Sequence, residues 1–147
     1  MHSKSRIRWG RVVAAAVMAE AAVILILLVV ISVHNLLIAP GQTAADAQAF
    51  GERAGYYVAP LASGIATFLS VLWVARKLSS DFVAHGTLVG VAGVILTVGF
   101  LFAAKPEDRF MYTVSFAIRI LAGYLGGVVA QRGLSPAPAR SSARSSI

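Results

Sequence analysis

Apolar positions in this chain run rather than alternate. Residues 12–39 carry one formal charge, Glu20, and lie between a basic flank at Arg11 and a proline at Pro40. Three further apolar runs follow, over 54–75, 82–104 and 110–131. A helix needs roughly 20 apolar residues to cross a hydrocarbon core about 30 Å thick, so each run is long enough and the first spans with tilt. The pattern predicts an all-α, polytopic membrane protein: a four-transmembrane-helix bundle.

The segments between the runs set the organisation. Residues 1–11 form a basic arm, with Trp9 marking the first membrane interface. His34 and Asn35 mark the opposite one. Residues 40–53 read as the longest loop, with a short interfacial helix over 44–50. Residues 76–81 and 105–109 read as tight loops. The transmembrane domain is 12–131. Residues 132–147, rich in Pro, Ser and Arg, cannot bury a core and are expected to be a disordered tail.

Spacing within the runs predicts which faces pack. The first half of the first span is rich in alanine, which lets helices approach closely. Tyr56, Ser63, Thr67 and Ser70 share one face of the second span, in which Pro60 is a candidate kink. Gly86, Gly90, Gly93 and Thr97 share one face of the third, and 86–90 is a GxxxG motif. Gly123 and Gly127 form a second such motif in the fourth span, with Gly126 between them. These glycines are the candidate helix-packing positions.

Composition agrees with the pattern. The chain is 58% hydrophobic and 13% charged, against about 25% charged in soluble domains. It has no cysteine, which excludes a disulfide framework and thiolate metal sites. The first run is too long for the apolar segment of a cleaved signal peptide, so it reads as a retained helix.

The net charge of +7 would point to nucleic acid in a soluble protein. Here the cations sit at span ends. One side collects Lys4, Arg6, Arg8, Arg11, Arg76, Lys77, Arg132, Arg140 and Arg144, and the other Arg53, Lys105 and Arg109, nine against three. That bias places both termini in the cytoplasm. The expected partner is the lipid bilayer, with a homo-oligomer or a larger membrane complex as the further option, and no nucleic acid.

Two residues stand out chemically. Glu20 and Arg119 are ionisable groups within spans, where charge is costly and normally faces the bundle interior. Arginine cannot lose its proton to escape the bilayer. Helical rise places Glu20 about 14 Å in from Arg11 and Arg119 about 20 Å in from Arg132, an offset near 6 Å. Side chains lean toward helix N-termini, which widens the offset, whereas tilt and arginine's length narrow it. Direct pairing is left open, and the two roles weighed are a structural clamp and a substrate or proton site. The clamp is the favoured one.

No catalytic residue, cofactor site or metal site is expected. His2, His34 and His85 fall at different depths, too far apart for a shared metal or haem. His85 reads as an interfacial hydrogen-bonder. No HExxH, phosphate-binding loop or nucleophile elbow occurs, so no enzyme activity is expected.

Two resemblances add to this reading. Ala75-Arg76-Lys77, the stretch from His85-Gly86 to Gly90, and Gly126-Gly127-Val128-Val129-Ala130 make the last three spans resemble small four-helix bacterial membrane proteins of uncharacterised role. That implies a bacterial plasma (inner) membrane location and no activity. Ala19-Glu20 in the first of four spans is similar to the small multidrug resistance family. That resemblance implies a proton-coupled exporter of organic cations, with Glu20 as the shared site. Arg119, the one-sided charge bias and the long first span and loop depart from that family. The leading expectation is a structural or accessory membrane component with a Glu20/Arg119 polar centre, and the alternative is a small proton-coupled transporter.

Overall fold

A computed structural model describes residues 7–78 and 80–134. The start of the basic arm and residues 135–147 of the tail lie outside the described residues. Four long helices make up the fold, and among the described residues there is no strand: α1 (Trp9–Val33), α2 (Ala44–Ala75), α3 (Phe82–Ala103) and α4 (Arg109–Leu134). All four are long and apolar enough to cross a membrane.

The first two helices differ from the sequence expectation at their shared end. The first run does not stay α-helical to residue 39. It ends at Val33 and continues as a π-helical turn, His34–Ile38. The Ala39 amide closes that turn on the His34 carbonyl at 2.8 Å. The expected loop over 40–53 is mostly helix. Ala44 opens α2 directly, so the short interfacial helix is the first part of a single helix of 32 residues.

Local chemistry explains the early start. Thr43 sits in extended backbone and its hydroxyl accepts the Asp46 amide at 3.2 Å, a helix N-cap. Asp46 in the first turn favours the positive end of the helix dipole. Gln48 donates to Glu52 one turn later at 3.1 Å. The hairpin is pinned across its end as well. The His34 ring stacks on Phe50 with centroids 3.5 Å apart, and Gln42 donates to the Asn35 side chain at 2.6 Å. Helix α2 runs on through Pro60, which is buried.

At helical rise, α2 is about 48 Å long and α3 about 33 Å. The α1–α2 hairpin is therefore the longer half of the molecule.

Packing follows the small residues. Helix α4 lies most extensively against α3 and α2, while α1 covers α2 and α3. Helices α1 and α4 sit across a diagonal of the bundle. Val12, Ala15 and Ala16 of α1 pack with Val71, Val74 and Val89, and Ala19 and Val23 pack with Ala62 and Ala66.

The α3–α4 contact is backbone against backbone. A Cβ on Gly127 would lie 2.6 Å from the Val83 Cα, and one on Gly90 would lie 2.7 Å from the Arg119 carbonyl oxygen. Gly86 and Gly123 face each other in the same seam. Gly126 turns instead toward α2, where a Cβ would lie 3.1 Å from Val71. At Gly86, Gly90, Gly123 and Gly127 no larger residue fits without moving a helix.

Candidate functional site: a charged pair across the bundle

Arg119 projects from near the middle of α4 into the bundle and is 6% exposed. Its position follows from the seam. Gly90 lets the Arg119 backbone come flush with α3, and Ser115, one turn earlier, is itself buried against Ser63 of α2 at 3.3 Å. The guanidinium then passes α3 at Gly93, where that helix offers no side chain to block it.

Nη1 meets three acceptors there. It forms a salt bridge with Glu20 Oε1 of α1. It donates to the Gly93 carbonyl at 3.2 Å and to the Thr97 hydroxyl at 2.9 Å. Thr97 in turn donates to the Gly93 carbonyl at 2.8 Å, which orients its lone pairs toward the arginine. A Cβ on Gly93 would lie 3.3 Å from Glu20 Oε1 and 3.8 Å from Arg119 Nη1. Glycine at 93 therefore leaves both room and an unobstructed carbonyl.

The pair is asymmetric. The Arg119 side chain is 7% exposed and that of Glu20 18%. Nε of Arg119 is buried and has no hydrogen-bond partner among the described residues. Charge-assisted bonds on Nη1 offset the cost of burying the cation, and among the described residues Glu20 of α1 is its only salt-bridge partner. The structure thus brings Glu20 and Arg119 together. It adds Gly93 and Thr97 as ligands of the guanidinium, roles that the sequence reading did not assign. Their signal was present: positions 93 and 97 share one face of α3, the face that also carries the close-approach glycines.

The histidines stay apart. His34 belongs to the hairpin end. His85 is 4% exposed at the opposite end, near the start of α3. Its Nε2 accepts the Arg8 backbone amide at 3.1 Å, and its Nδ1 lies 2.9 Å from the Asp81 carbonyl oxygen. Those contacts suit a neutral ring that donates from Nδ1, and they tie the start of α1 to the start of α3. Arg11 reinforces the tie by donating to the Lys77 carbonyl.

Among the described residues, no three His, Cys, Asp or Glu side chains gather where a metal would bind. A surface groove between α1 and α2 is lined by Ile26, Tyr57, Val58, Leu61, Ala62 and Ile65, and carries no charge. No protein-family model matches the chain, and no match emerges among curated proteins or solved structures.

Proposed function

We propose that this chain is an integral membrane protein of the bacterial plasma membrane, with both termini cytoplasmic and a structural or accessory role. The Glu20–Arg119 pair clamps its bundle. Four long apolar helices support the membrane reading. The clamp rests on one observation: a buried guanidinium on α4 binds a carboxylate on α1 and a carbonyl and hydroxyl on α3 through a single nitrogen. A permanent cation inside hydrocarbon is tolerated only when partners surround it, and these partners come from two other helices. The arrangement fastens α1, which otherwise contacts α4 little.

A proton-coupled exporter would need Glu20 to exchange a proton for a cationic substrate. Arg119 already occupies that carboxylate, which favours the clamp. Two experiments test the reading. The protein should stay with membranes through alkaline carbonate extraction. A double-mutant cycle of Glu20→Gln and Arg119→Gln, read as stability in detergent, should give a coupling energy above about 1 kcal/mol. Zero coupling removes the clamp. Copurification then asks which membrane complex, or second copy, the chain joins.

A further inference from the structure

The two ends of the bundle differ sharply in charge. At the end where α1 begins, the described residues include Arg8, Arg11, Arg76, Lys77 and Arg132 against one acid, Asp81. At the other end Arg53, Lys105 and Arg109 face Asp46, Glu52, Glu107 and Asp108. The first end is thus +5 − 1 = +4 and the second +3 − 4 = −1. Topology alone asks only that cations lie on one side. It does not ask that they be fastened together.

Here they are fastened. Arg11 of α1 donates to the Lys77 carbonyl in the α2–α3 turn, and the Arg8 amide is held by His85 of α3. Two segments far apart in sequence thereby meet: the Arg11 guanidinium reaches the turn that carries Arg76 and Lys77, and Arg8 stands three residues before it at the start of α1. The Lys77 ammonium lies 5.2 Å from the Trp73 ring centre, and Trp73 is 45% exposed. An indole at this level suits the headgroup region, where an aromatic body meets lipid and a cation meets phosphate. Asp81 is the one acid at this end, and its carboxylate accepts the Ser80 hydroxyl at 2.9 Å.

We propose that Lys77 beside Trp73, with Arg76 next to it in sequence and Arg8 at the α1 start that the Arg11 and His85 ties hold to this end, bind the phosphate headgroup of an anionic phospholipid at the cytoplasmic surface. The bilayer is the source of that phosphate. The acyl chains lie along the exposed apolar surface of α1 and α2, while the cations take the headgroup. This inference rests on the membrane reading above.

Tryptophan fluorescence gives a local test. The chain has two tryptophans, Trp9 and Trp73, and both belong to this end. The purified full chain is reconstituted in phosphatidylcholine vesicles that carry brominated phosphatidylglycerol, or brominated phosphatidylcholine, in increasing proportion. Stronger quenching by the anionic lipid is expected. Arg76→Gln with Lys77→Gln should weaken the relative affinity for phosphatidylglycerol roughly 25-fold, taking each cation at the anionic surface as about a factor of five. The Arg11 tie uses the Lys77 backbone, so it survives this change. Arg8→Gln is the second variant, because the Arg8 amide that His85 holds is also backbone. Unchanged helix content, read by circular dichroism, confirms that either variant is folded.

Equal quenching by both lipids, or unaltered preference in both variants, overturns the lipid site and leaves the membrane reading standing. Displacement by millimolar inorganic phosphate overturns it too, in favour of a free-phosphate site. No quenching by either lipid defeats the membrane reading and this inference together.

Discussion

Gly90 of α3 lies flush against the backbone of Arg119 on α4, so that a Cβ at 90 would come within 2.7 Å of the Arg119 carbonyl oxygen. The relationship links packing to charge. The glycine does not touch the guanidinium, yet it sets how deeply the arginine's helix enters the bundle. Three residues later on the same helix, Gly93 supplies the carbonyl that receives the guanidinium.

Gly90→Leu is therefore expected to separate α3 from α4 and to cost about 1–3 kcal/mol or more, the range for overpacking a tight contact. Thermal unfolding in detergent measures it. Gly99→Leu is the control, since a Cβ there would meet no atom of another helix within 4 Å. Equal melting of the two variants would show that the α3–α4 seam is not closely packed.

His85 holds the first turn of α1 by one hydrogen bond and its own helix start by another. His85→Leu removes both and leaves the Arg8 amide without its acceptor. A loss of about 1–2 kcal/mol is expected from two neutral bonds. Hydrogen exchange gives the sharper readout, because the Arg8 amide should exchange faster in the variant. An unaltered rate at Arg8 argues that water, not His85, satisfies that amide.

The helices were largely legible in the sequence because long apolar runs admit few other readings. Their boundaries were less so. Residues 44–53 mix alanine with Asp46, Gln48, Glu52 and Arg53, so hydropathy drops and the stretch reads as a loop that holds only a short helix over 44–50. The Thr43–Asp46 cap was the local signal of a helix start there. The charged pair was harder. Glu20 and Arg119 stand out by type alone, but helical rise placed them at unequal depths. What closes the distance is arginine's reach together with the missing side chain at Gly93, and neither appears in a one-dimensional depth estimate. Periodicity marks a glycine face at 86, 90 and 93. Only the three-dimensional arrangement shows that α4 covers it.

Topology carries its own expectation. The α1–α2 hairpin end and the α3–α4 turn lie at the acidic end, opposite the cations of the first turn of α1. Reporter fusions at Gln42 and Glu107 should be active in the periplasm. Fusions after Lys77 and Arg132 should be active in the cytoplasm. A cytoplasmic signal at Gln42 contradicts the orientation, because the positive-inside bias would then point the wrong way.

Thr97 separates a clamp built around one ion pair from a clamp built around a network. Its hydroxyl accepts from Arg119 Nη1 at 2.9 Å and donates to the Gly93 carbonyl at 2.8 Å. Thr97→Val keeps the shape of the side chain and deletes both bonds. The Gly93 carbonyl keeps its bond from Nη1, and Glu20 keeps the charge, so the expected loss is about 1 kcal/mol. Glu20→Gln leaves a buried cation without a counter-charge, which in soluble proteins costs about 3–5 kcal/mol and less where arginine can reach an interface. The expected order of stability in detergent is wild type, Thr97→Val, then Glu20→Gln. The two changes should also be non-additive, since both residues bind the same nitrogen. If Thr97→Val proves as damaging as Glu20→Gln, the hydroxyl rather than the carboxylate anchors Arg119, and the pair is not the clamp.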